Sequence, residues 1–86
     1  MYYTYVLWTQ AEERFYIGYT ADLKRRLAEH RRNKVYTTQR YQQIQLIFYE
    51  AFLSQADAKR RENYFKSSKG KKALRMMLRE SIKTGQ

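Results

Sequence analysis

Two hydrophobic rhythms run along the chain, and the points where one gives way to the other mark its elements. From Tyr2 to Thr9 the residues are strand formers, with Tyr3, Tyr5 and Leu7 projecting to one side and Thr4, Val6 and Trp8 to the other. Gln10 to Glu13 is polar and lacks the Asn-Gly or Gly-Gly of a two-residue turn, which predicts a longer hairpin loop. A second strand follows from Arg14 to Gly18, where Phe15, Ile17 and Tyr19 alternate with Arg14, Tyr16 and Gly18. The period then lengthens. Leu23 and Leu27 stand one helical turn apart and predict a helix from Ala21 to about Arg32, with Thr20 as N-cap, Asp22 in the first turn and Asn33 as the stop. On it, Arg26 and His30 share a face.

Lys34 to Gln43 is polar, basic and aperiodic, a loop whose Lys34, Tyr36, Arg40 and Tyr41 suit contact with a nucleic-acid backbone and its bases. Ile44 to Phe52 is the third strand. Strict alternation puts Ile44, Leu46 and Phe48 on one face and Ile47, Tyr49 and Ala51 on the other, so both faces are apolar and the sheet is covered on both sides. Ser54 and Asp57 have the spacing of a capping box opening a helix to about Lys66, with Ala58, Glu62 and Phe65 along its inward stripe. Ser67 to Gly70 breaks the pattern, and Leu74, Met77, Leu78 and Ile82 predict a last amphipathic helix before a frayed Thr84 to Gln86. The fold class is α/β of the α+β kind: one domain over residues 1–86, a small three-stranded, largely antiparallel sheet flanked by helices in the order β-β-α-β-α-α.

Charge adds a partner to this outline. Eighteen Lys and Arg against eight Asp and Glu give +10 over 86 residues, which points to a polyanion, and nine Tyr, four Phe and one Trp include rings able to stack on bases. With no cysteine, disulfides and thiolate metal sites are excluded. No apolar run is long enough for a membrane span, and the opening residues read as a strand rather than a signal peptide; the expected location is cytoplasmic.

Candidate chemistry gathers where the second strand becomes the first helix. Gly18, without a Cβ, would let a ligand approach the backbone, and the phenol of Tyr16, the guanidinium of Arg26 and the imidazole of His30 could converge beside it as a phosphate site. Each has a plainer reading. Tyr5 and Tyr16 could be cross-strand packing partners, Arg26 a solvated charge beside Glu29, His30 a charge at the helix C-terminus, and Glu62 half of a surface pair with Lys66.

Taken together, Tyr3-Thr4-Tyr5, Tyr16-Ile17-Gly18, Asp22-Leu23-x-x-Arg26-Leu27-x-x-His30 and Arg61-Glu62-x-x-x-Lys66 resemble the GIY-YIG nuclease superfamily, in particular its short single-domain members of the UvrC amino-terminal, YhbQ-like type. The resemblance implies that Tyr5 ends the first triplet, Tyr16 opens the second, Arg26 is the catalytic arginine, His30 holds the family's His or Tyr position, and Glu62 is the sole protein ligand of one Mg²⁺ or Mn²⁺. It further implies hydrolysis of a phosphodiester in DNA, branched or single-stranded substrates included, in repair or recombination. Phosphate contacts from Lys34, Arg40, Lys66 and Lys69 would give weak sequence specificity. The chain departs from the pattern in Tyr3-Thr4 and in Leu74, which lies where several full nucleases carry an asparagine, a role open to Lys66 or Ser68. A binding module with a degenerate site and a protein-interaction subunit are the alternatives.

Overall fold

The computed structural model describes residues 1–32 and 44–84. The expected strands form: β1 (Tyr2–Thr9), β2 (Arg14–Thr20) and β3 (Ile44–Phe52) make one antiparallel sheet in the order β2-β1-β3. The central β1 is buried from Thr4 to Thr9, on both faces, because helices cover both sides of the sheet. The loop from Gln10 to Glu13 is the longer connection expected, closed by Glu13 N–H donating to Gln10 O and by Glu13 in the left-handed region, φ 50°.

On one face lie α2 (Gln55–Lys66) and α3 (Ser68–Met77), and there Val6, Ile17, Phe65, Leu74 and Leu78 form the core, with Phe15, Ile47, Phe48 and Ile82 packed against it. Thr4 Oγ1 donates to Ala58 O at 2.6 Å, and Arg61 forks onto Glu50 through two 2.9 Å bonds, tying α2 to β1 and β3. The last expected helix runs as α3 and then α4 (Arg79–Thr84), with Leu78 N–H to Leu74 O and Ile82 N–H to Leu78 O keeping the turn in phase across the junction. Its buried stripe is Gly70, Leu74 and Leu78, while Met77, expected inward, is 51% exposed.

Three local expectations are corrected. The first helix, α1, is Leu23–Arg31, and its N-cap is Asp22, whose carboxylate accepts from Arg25 N–H at 3.1 Å; Thr20 still belongs to β2, and its hydroxyl bonds the Asp22 backbone instead. Ser54 holds the N-cap position of α2 without a side-chain bond, and Asp57 pairs with Arg60 at 2.8 Å, so no capping box forms. In β3, Val6 pairs with Phe48 but Leu7 with Leu46, a bulge that leaves Ile47 as an extra residue. One inserted residue reverses the alternation, placing Leu46 on the Leu7 face and Phe48 on the opposite, Val6 face.

The break between the last two helices is a single residue. Ser67 ends α2 and caps α3, its hydroxyl accepting from Gly70 N–H at 3.1 Å. A Cβ on Gly70 would collide with the Tyr64 carbonyl and the Phe65 Cα, so the glycine lets the two helices touch. Asn33, the loop from Lys34 to Gln43 and the Gly85–Gln86 tail lie outside the described residues.

Candidate active site

The other face of the sheet carries α1, and the site begins with Tyr5 at the middle of β1. Its side chain is 1% exposed and lies over Gly18, its cross-strand partner in β2. A Cβ on Gly18 would overlap the Tyr5 ring at Cζ and Oη. The glycine therefore opens the backbone to a phenol of the same chain, which corrects the expectation of a ligand there. Gly18→Ala is expected to push the Tyr5 ring aside and lower any cleavage roughly tenfold to a hundredfold, with the far-UV circular dichroism retained; unchanged turnover would count against a role for Tyr5.

Around the Tyr5 hydroxyl, α1 supplies the partners. Arg26 Nε donates to Tyr5 Oη at 3.4 Å and its Nη1 to Glu29 Oε1 at 2.9 Å, while His30 Nε2 lies 2.9 Å from the same phenol. The Tyr5 oxygen accepts from Arg26, and the phenol and His30 Nε2 share one further hydrogen bond whose direction follows the His30 tautomer. Burial, then the nearby Arg26 charge, pull the His30 pKa from the ordinary 6.5 to about 4, with Glu29 opposing. His30 is only 2% exposed, so it is not the solvated charge at a helix end that its position in the sequence allowed. The Tyr5 pKa is raised, by burial first; the Arg26 hydrogen bond lowers it, and the Tyr16 and Glu62 charges raise it again. Tyr5 is thus a neutral phenol held between a cation and an imidazole.

This arrangement carries a pH signature. Because the folded pKa of His30 lies below its unfolded value, the unfolded chain binds the extra proton first as pH falls. The His30 contribution is complete above pH 6.5 and is lost on descending toward 4, with a slope of up to about 1.4 kcal/mol per pH unit. Urea midpoints between pH 5 and 6.5 are expected to fall in the wild type and to flatten in His30→Gln; equal slopes would contradict it.

Tyr16 completes the cluster from β2. Its ring meets His30 edge-on at 5.3 Å between centroids, and it is the more open of the two phenols. Glu62 follows the inward stripe of α2 between Ala58 and Phe65, with its side chain 20% exposed, and its charge acts on Tyr5. Lys66 Nζ meets Glu62 Oε2 at 3.1 Å, so the plain reading of that spacing is also true, and the half-exposed Lys66 charge is shared with that carboxylate. Tyr5, Tyr16, Arg26 and His30 therefore touch in one cluster, and Glu62 is linked to it through the charge felt at Tyr5.

Other expected residues lie elsewhere. Leu74 is fully buried in the core, and Ser68 is an exposed residue at the start of α3. Lys69 is exposed and heads a row with Lys72, Arg75, Arg79 and Lys83 along the outer side of α3 and α4, a row readable from spacings of three and four but not read from the sequence beyond Lys69. Lys34 and Arg40 fall outside the described residues. Glu29, read only as a surface neighbour of Arg26, orients it; its place three residues on was the available signal.

Among the described residues no three His, Cys, Asp or Glu side chains cluster as metal ligands, so Glu62 is the donor to assess. One carboxylate is a fitting complement for Mg²⁺, which keeps several waters, and only Oε2 is engaged by Lys66. Glu62 thus suits a single hard cation. The open nitrogen of Arg26 is Nη2, which meets no acceptor among the described residues and sits on a side chain 36% exposed.

The family model described as the GIY-YIG catalytic domain matches residues 1–75. A UPF0213 protein encoded 5′ of ldhD in Pediococcus acidilactici is 34% identical over 84 residues, covering 94% of this chain and 85% of that protein. A UPF0213 protein of Streptococcus pyogenes serotype M5 (strain Manfredo) is 43% identical over 68 residues, 78% of this chain and 73% of its own. No solved structure matches at a significant level. No helix among the described residues is long and apolar enough to cross a membrane. From the family match over most of the chain and a relative 34% identical along nearly all of it, the chain belongs to the GIY-YIG family, a family of nucleases that act on DNA.

Proposed function

We propose that this protein is a divalent-metal-dependent DNA endonuclease that hydrolyses phosphodiester bonds with weak sequence specificity, selects branched or single-stranded structure, and serves repair or recombination in the cytoplasm. The observation that supports it is the gathering of two phenols, a guanidinium, an imidazole and a nearby carboxylate from β1, β2, α1 and α2. In this reading Arg26 offers Nη2 to a non-bridging phosphate oxygen, where charge collects as water attacks. Glu29 and Tyr5 hold the other two guanidinium nitrogens and so fix the plane of the fork. Tyr16 meets the attacking water, being the more open phenol. His30 touches both rings from beneath and orients them. Glu62 would hold one Mg²⁺ or Mn²⁺, which when bound supplies Lewis-acid stabilisation of the leaving oxygen. Flanking phosphates rest on the row from Lys69 to Lys83.

A second reading, a binding module that does not cut, draws on Leu74 in place of a polar residue and on the Glu62–Lys66 pair. Duplex, single-stranded and branched DNA incubated with Mg²⁺, Mn²⁺ or EDTA separates the two. Cleavage with either ion and none in EDTA supports the enzyme. Salt-sensitive binding without cleavage in any condition supports the module. A strong consensus among the cut sites would overturn weak specificity.

A further inference from the structure

Beside the site lies an open groove of about 420 Å³, walled by Tyr3 of β1, Tyr49 of β3, and Leu23 and Leu27 of α1, and also lined by Lys24 and by Asp22, whose carboxylate is engaged in capping α1. Its walls neighbour the candidate site along β1 and α1 and across to β3. Tyr49 is the cross-strand partner of Tyr5, Tyr3 stands two residues before Tyr5 on the same face of β1, and Leu27 follows Arg26 on α1. Two residues of strand span about 7 Å along the backbone, so the wall at Tyr3 stands one short step along β1 from Tyr5. The Tyr49 ring is unusual for a strand residue beside a core: it is 51% exposed, whereas Tyr5 opposite is 1% exposed. Tyr3 packs against it at 6.1 Å between centroids with the ring planes at 62°, so the two phenols form one tilted pair at the groove wall while half of Tyr49 stays open to solvent.

We propose that this groove receives one unpaired nucleobase from the strand whose phosphate rests at Arg26, with Tyr49 as its stacking face; this rests on the DNA-cleavage reading above. The chemistry selects that occupant. An aromatic face between leucines accepts a flat π-system of any base identity, while Lys24 and Arg26 on the same helix suit the phosphates on either side. The volume is that of a small-ligand pocket, too small for a helix or a folded partner. A base inside a duplex cannot reach such a groove without leaving its stack. The groove therefore selects DNA that is single-stranded, or locally unpaired, beside the phosphate to be cut, and it does so without reading sequence.

The test compares the wild type, Tyr49→Ala and Tyr49→Phe in EDTA, where binding is read without cutting. Each is titrated with a fluorescently labelled single strand, with a strand of equal length made wholly of abasic nucleotides, and with the matching duplex. Tyr49→Ala is expected to weaken binding of the normal single strand about tenfold and to leave the abasic strand and the duplex unchanged. The salt dependence should not alter, because the phosphate contacts remain. Tyr49→Phe should bind as the wild type does, which also guards against a folding defect. Equal loss on normal and abasic strands, or no loss on either, would overturn the proposal. Cleavage assays in Mg²⁺ and Mn²⁺ run alongside: base-dependent binding without cutting would defeat the nuclease reading and keep the groove, and cutting without base dependence would do the reverse.

Discussion

Glu62→Gln is expected to abolish ion-dependent cleavage and Mn²⁺ binding while leaving the domain folded. Glutamine keeps the shape and the packing between Ala58 and Phe65 but removes the charge that a hard cation requires. The fold loses little. The pair with Lys66 is half exposed on the lysine side and spaced four residues along a helix, worth about 0.3–0.5 kcal/mol. Titration of Mn²⁺ by electron paramagnetic resonance reads the binding, and urea midpoints read the fold. The same substitution removes one of the charges that raise the Tyr5 pKa, so that phenol becomes slightly more acidic rather than less. Loss of cleavage therefore could not be assigned to a weakened phenol. A Glu62→Gln protein that still took up Mn²⁺ and cut at the wild-type rate would remove the carboxylate from the site.

Arg26→Ala is expected to reduce kcat by about 10²–10³, the usual consequence of deleting one preorganised donor to a developing oxyanion. The fall should appear in kcat at saturating DNA rather than in KM, because the charge that the guanidinium meets appears in the transition state. Arg26→Lys should recover little, since an ammonium cannot hold Tyr5, Glu29 and a phosphate oxygen from three nitrogens at once. Single-turnover rates on one DNA substrate measure this. A loss confined to KM would recast Arg26 as a general phosphate contact.

How far the sequence foretold these features follows from the range of the forces involved. All three strands and α2 were readable because each is fixed by its own period. The meeting of Tyr5, Tyr16, Arg26 and His30 was readable only with the resemblance beside the spacing. The bulge at Ile47 was not: two apolar faces satisfy an unbroken alternation as well as a broken one, and only pairing with β1 distinguishes them. Thr20 and Asp22 are both good caps, and β2 running two residues past Gly18 decided between them. The missing Cβ of Gly18 is legible in the sequence, but the occupant of that space comes from thirteen residues away on another strand. Neither the burial of His30 beneath two phenols nor its low pKa could be read from spacing, because both depend on how α1 lies across the sheet.

The one-residue joint at Ser67, with Gly70 seated against the Tyr64 carbonyl, makes α2 and α3 a single stiff bracket. Glu62 sits on one arm and the cations from Lys69 to Arg75 on the other, with no slack between them. On the cleavage reading proposed above, a strand resting on the second arm would lie at a constant reach from the acid. The pair of helices would then serve as a ruler, the cut being placed in ångströms from the grip and not spelled out in letters.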